Sequence, residues 1–167
     1  KFVLFISQLS DIKLFFIEKA MECRTDHSVT SEELHHMKNH NKVPESDSAK
    51  CLLACIFRKV EWLDEKGMFD EENALKMSKK EFPDDKERQE SARKLYAVCK
   101  KVNEETVGDG EKGCERSSLL ATCLLNNAAE VVLLYNFLTQ CFIIGNNSVG
   151  TYLHSHTSGR LLCTNAG

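Results

Sequence analysis

Eight cysteines and six histidines are the residues of this 167-residue chain whose types and spacing can do chemistry. No two cysteines form a CxxC pair, so no zinc ribbon or thioredoxin-type redox site is spelled out. An even number in so small a chain reads instead as a disulfide framework, made outside the reducing cytosol. Asp26-His27 sets a base beside a carboxylate, as a phospholipase requires, but no glycine-rich calcium loop stands near it. His36 and His40 lie one helical turn apart with His35 beside them, which suits two zinc ligands, and no third ligand stands at a motif distance. There is no Gly-x-Ser-x-Gly elbow. The reading is a protein that is not an enzyme, with no metal and no cofactor. Titration is what remains to the histidines: His27, His35, His36 and His40 crowd one region and gain like charges together below about pH 6.5.

The cysteines need elements to carry them, and composition names the kind. Two prolines and eight glycines are too few for the tight turns of a sandwich or barrel, whereas Lys, Glu, Leu and Ala are plentiful. With 22 basic against 25 acidic residues the chain has no basic field for phosphate backbones, so nucleic acid is excluded as a partner. The longest apolar stretch, residues 128–144, is interrupted by Glu130, Asn136 and Gln140 and falls short of the roughly 18 uninterrupted residues a membrane span needs. No membrane partner is expected.

Helical periodicity is clear in several segments. Ala92, Leu95, Tyr96, Cys99 and Val102 recur at three and four within residues 86–103, with Lys and Glu opposite. The same rhythm places Cys51, Leu52, Cys55, Ile56 and Val60 on one face of residues 48–60, behind the start signals Pro44 and Ser46. It runs through Ile12, Phe15, Phe16, Lys19 and Ala20 in residues 9–21, and through Leu119, Leu120, Cys123 and Leu124 in residues 115–125. Shorter helices fit residues 31–40, with Thr30 as cap and Glu33 three positions on, and residues 70–79. The expected class is all-α, a compact bundle of about six helices.

Cys51 and Cys55 are one turn apart on one face, so both bond outward to other elements and not to each other. That exclusion leaves 12 of the 15 connectivities open to the six cysteines through Cys123, and spacing does not choose among them.

The order Cys23, Cys51, Cys55, Cys99, Cys114, Cys123, with 27, 3, 43, 14 and 8 residues in its gaps, resembles the six-cysteine signature of insect odorant-binding proteins, the pheromone and general odorant-binding family. The segment Val60-Glu-Trp-Leu-Asp-Glu-Lys-Gly-Met-Phe-Asp70 resembles that family's loop between its third and fourth helices. The likeness covers residues 9–125. It implies three interlocked disulfides, Cys23 to Cys55, Cys51 to Cys114 and Cys99 to Cys123, around a closed apolar cavity. The implied function is a secreted, extracellular carrier that binds small hydrophobic ligands, odorants or pheromones, non-covalently for chemosensory transport, as a monomer or homodimer that hands its ligand to an olfactory receptor. Periodicity and the family's cavity-lining positions together nominate Ile12, Phe16, Leu34, Met37, Leu53, Phe57, Trp62, Leu75, Tyr96, Leu120 and Leu133 as walls, with Tyr96 offering one hydrogen bond.

The ends depart from that pattern. Residues 1–8 open with Lys1 and an apolar run that reads either as a signal-peptide remnant or as the start of the first helix. Beyond the sixth cysteine the chain continues for 44 residues and adds Cys141 and Cys163. Residues 126–144 are apolar, with the character of a lid; residues 145–167, rich in Gly, Ser, Thr and Asn, read as a flexible tail that carries the sequon Asn146-Asn147-Ser148. The competing class is a secreted helical signalling or surface-interaction protein without a ligand cavity.

Overall fold

The computed structural model describes residues 11–33 and 43–127, with side chains at all of these except residues 11–14 and 17. Five α-helices are named here: α1 Asp11–Cys23, α2 Asp47–Lys59, α3 Glu71–Glu81, α4 Lys86–Cys99 and α5 Cys114–Asn127. Short 3-10 helices follow α4 at Lys100–Glu104 and precede α5 at Gly110–Lys112. Residues 31–33 are helical as well, the start of the helix expected over 31–40, whose remainder lies outside the described residues; the other five expected helices have helical backbone in the places expected. The Ile12 side chain, Leu34, Met37, Leu133, His35, His36, His40, Cys141, Cys163, the sequon, the terminal segment 1–8, the proposed tail and all of the proposed lid but residues 126–127 lie outside the described residues.

The helix starts are written in short polar side chains, which satisfy N–H groups that have no carbonyl one turn back. Ser46 Oγ accepts from the Ala49 N–H, Asp70 from Asn73, and Asp85 from Arg88. Thr30 and Glu33 form a reciprocal capping box, Glu33 N–H to Thr30 Oγ1 at 3.1 Å and Thr30 N–H to Glu33 Oε2 at 2.9 Å. The Ser46 hydroxyl, and after it the Thr30 N–H, hold the Glu33 carboxyl below its ordinary pKa. That joins the start of one helix to the cap of the next. On α3, Glu71 and Glu72 in the first turn and Lys79 and Lys80 in the last both complement the helix dipole.

The disulfides fix how the helices dock. Cys23–Cys55 ties α1 to α2, Cys51–Cys114 ties α2 to α5, and Cys99–Cys123 ties α4 to α5. This is the pairing that the six-cysteine resemblance implies. A helix turns about 100° per residue, so two cysteines nine positions apart, Cys114 and Cys123, emerge on nearly opposite sides of α5. That helix is therefore clamped between α2 and α4. The core runs through Phe16, Ala20, Leu52, Ile56, Phe57, Val60, Tyr96, Val102, Leu120 and Leu124, with Leu120 fully buried.

Two details differ from the sequence expectation. The helix expected through residue 103 ends as an α-helix at Cys99 and continues as the tighter turn Lys100–Glu104. The tightening keeps Val102 buried and brings Asn103 over the loop ahead of α3, where its Oδ1 accepts from Phe69 N–H at 2.8 Å and its Nδ2 donates to Phe69 O at 3.0 Å. Leu119, placed on the apolar face of α5, is 39% exposed; the buried face is Ser117, Leu120, Ala121 and Leu124, a rotation set by the two disulfides.

Two glycines meet where the loop before α3 approaches the turn before α5. Gly67 and Gly113 have φ of 72° and 70°, and a Cβ on Gly67 would lie 3.0 Å from Gly113 Cα. Arg58 spans the same junction, donating to Asp64 O at 3.2 Å, to Lys112 O at 3.2 Å and to Glu111 O. Gly113→Ala, strained in backbone and crowded against Gly67, is expected to cost about 1–3 kcal/mol in chemical denaturation, with the disulfides intact. Unchanged stability would mean that the approach is looser than drawn.

Glu22 bridges α1 and α2 by accepting from Lys19 Nζ at 2.8 Å and Lys59 Nζ at 2.7 Å. These bonds hold its carboxyl at about 2, below the ordinary 4.5. The depressed folded value means the contribution is complete above about pH 4.5 and is lost as pH falls through 2. Glu22→Gln is therefore expected to flatten the fall of Tm between pH 4.5 and 2 while leaving the slope between pH 5 and 7 unchanged. Parallel curves for variant and parent would remove Glu22 from the acid limb.

Candidate functional site: an aromatic cluster around Trp62

The loop between α2 and α3 builds the site. Glu61 closes α2 in the left-handed region, φ 60°, and turns the chain back so that Trp62 N–H reaches Phe57 O at 2.7 Å. Trp62 O accepts from Asp70 N–H at 2.8 Å, and Leu63 pairs with Phe69 in an antiparallel bridge. Asp64 Oδ1 holds the tip through the N–H groups of Lys66 and Met68, at 2.9 and 2.8 Å. Both backbone polar groups of Trp62 are thus committed, and its indole is carried on a braced loop.

Four rings surround that indole. Phe57 of α2 stacks on it at 5.9 Å and 11°, while Phe16 of α1 and Tyr96 of α4, each at 5.3 Å, meet it edge-on, as does Phe69 at 6.3 Å. Phe69 and Tyr96 touch each other in the same manner at 6.1 Å. Edge-to-face and offset stacking are the arrangements that ring quadrupoles favour. Three helices and one loop therefore converge on one residue, the single tryptophan of the chain.

Of the residues nominated from sequence, Phe16, Phe57, Trp62 and Tyr96 come together in this cluster, and Leu120 lies in the same core. Leu53 and Leu75 are half-buried against it. The Tyr96 hydroxyl, expected to offer a ligand one hydrogen bond, is 2.9 Å from Ser78 Oγ, and both are buried. Burial pushes the Tyr96 pKa up, and the Ser78 hydrogen bond opposes that rise.

Ser78 was invisible to periodicity because a serine on a charged helix reads as solvated surface. Arg116 was hidden for the same reason; it is 6% exposed, and its guanidinium donates to the carbonyls of Val102 and Glu105. The charged depression at the α3–α4 turn, lined by Glu81, Asp84, Asp85, Lys86, Glu87 and Arg88, is open and includes no ring of the cluster. Among the described residues no helix is long and apolar enough to cross a membrane.

Comparison with known proteins gives a consistent result. General odorant-binding protein 19d of Drosophila melanogaster is 27% identical over 113 residues, 68% of this chain and 71% of its own. The fold matches odorant-binding protein 7 of Anopheles gambiae, solved with four disulfide bridges in complex with an azo compound, at a TM-score of 0.62 and 20% identity, covering 79% of this chain and 98% of that one. It also matches an odorant-binding protein of Locusta migratoria, at 0.56 and 22% identity, over 80% of this chain and 92% of that one. The family model described as PBP/GOBP, the pheromone- and general odorant-binding proteins, matches residues 8–127, the six bridged cysteines and the Trp62 loop included, and the chain belongs to that family.

Proposed function

We propose that the protein is a secreted, non-enzymatic carrier of small lipophilic molecules, odorants or pheromones, bound non-covalently in an interior cavity whose wall includes the Trp62 cluster. Family membership supports the carrier role, and the three disulfides suit an extracellular setting. The observation that carries the reading is the cluster itself. Its rings come from α1, α2, α4 and a braced loop, elements already cross-linked to one another or tied by hydrogen bonds. Helices held this way can border apolar space without having to fill it, and flat aromatic faces make an adaptable wall for an oily ligand. Hand-over to an olfactory receptor is the transport step this reading implies.

An apolar fluorescent probe should enter the protein and brighten, and compounds of about ten to twenty carbons should displace it with micromolar affinity, about −8 kcal/mol. A probe that stays dark in the presence of protein, or a bound ester converted to product, would overturn the carrier reading.

A further inference from the structure

Trp62 Nε1 is buried and has no hydrogen-bond partner among the described residues. Indole nitrogen only donates, so this atom has a standing requirement for an acceptor. Its ring neighbours Phe16, Phe57 and Phe69 are purely apolar, and the Tyr96 hydroxyl, the one polar group among the four rings, pairs with Ser78 and does not meet the indole nitrogen. The indole is packed in place by those rings, Phe57 stacked on its face and Phe16, Phe69 and Tyr96 edge-on, on a backbone bonded on both sides. The other unpaired buried atoms are of different kinds. Ser117 Oγ both donates and accepts and sets no preference, while Asp109 Oδ1 and Arg116 Nε belong to the polar frame at the start of α5. Arg116 is the one buried charged side chain among the described residues, and its guanidinium is held by the carbonyls of Val102 and Glu105.

We propose that Trp62 Nε1–H is the polar anchor of the cavity and selects neutral ligands that carry a hydrogen-bond acceptor, such as a ketone, ester or ether oxygen, on an apolar chain. The inference rests on the carrier reading and adds to it a ligand class and the residue that reads it. Among the described residues nothing else pairs with this donor, and a ligand oxygen brought to it satisfies both groups at once.

A two-by-two comparison tests this, using dodecan-2-one and dodecane as ligands against the parent protein and Trp62→Phe, which keeps an aromatic ring and removes the N–H. Binding is read by probe displacement. The smaller ring removes some wall from both ligands alike, so the N–H is read from the difference between them: the ketone should lose about tenfold more affinity than dodecane in the variant, about 1.4 kcal/mol. Equal losses for both ligands would overturn the proposal and leave the carrier reading standing. Failure of both ligands to bind the parent would overturn both. Should Trp62→Phe not fold, infrared spectroscopy of the ketone bound to the parent decides. The carbonyl stretch should fall below its value in hexane, and an unshifted stretch means the anchor does not exist.

Discussion

Reduction of the three disulfides should unfold the protein at 25 °C, with loss of its cooperative thermal transition and most of its helical circular dichroism. Their partners are 32, 63 and 24 positions apart, so in the chain-entropy view each bridge withholds about 3–4 kcal/mol of disorder from the unfolded chain. Three such contributions match the whole stability of an ordinary domain, about 5–15 kcal/mol. The Cys51–Cys114 bridge closes the longest loop and joins α2 to α5, the pair of helices with the most extensive contact. Replacing both its cysteines with alanine is expected to cost the most of the three bridges, about 4 kcal/mol, and to lower Tm by roughly 15–25 °C. A reduced protein that still melts cooperatively would show that the apolar core suffices alone.

Phe16→Ala and Phe57→Ala are expected to lose about 3–5 kcal/mol each, because both rings are buried and both lean on the Trp62 indole. The frame should survive: Cys23–Cys55 still ties α1 to α2, so the far-ultraviolet spectrum at 25 °C stays helical while the denaturation midpoint drops. Probe affinity should fall in both variants, since each removes wall area. A drop in midpoint with undiminished affinity would make the cluster a structural core and move the cavity elsewhere.

Helix positions were legible because caps and apolar spacing are local. Thr30 with Glu33, Ser46, Asp70 and Asp85 all act within four residues of themselves. What depends on distant partners was not legible. The α-helix stops at Cys99 because Asn103 is needed at Phe69, and Leu119 faces outward because Cys114 and Cys123 fix the rotation of α5 from two sides. The disulfide map came through the family resemblance alone. That Cys51 and Cys55 share one face of α2 and both bond outward is legible in their spacing, but which cysteine each one meets depends on partners far along the chain. At the site, aromatic residue types betrayed the cluster, while the Ser78–Tyr96 hydroxyl pair and the unpaired Trp62 nitrogen are properties of packing that no spacing encodes.

The most direct measurement is heteronuclear NMR of the protein titrated with a ten- to twenty-carbon apolar ligand, since a single tryptophan gives a single indole N–H resonance. That resonance should move on binding, and the ligand methylenes should give intermolecular Overhauser contacts to the rings of Trp62, Phe16 and Phe57. A ligand that binds with contacts confined to exposed side chains such as Val98 and Leu119, or an indole resonance that stays fixed at saturation, would contradict an interior site bounded by Trp62.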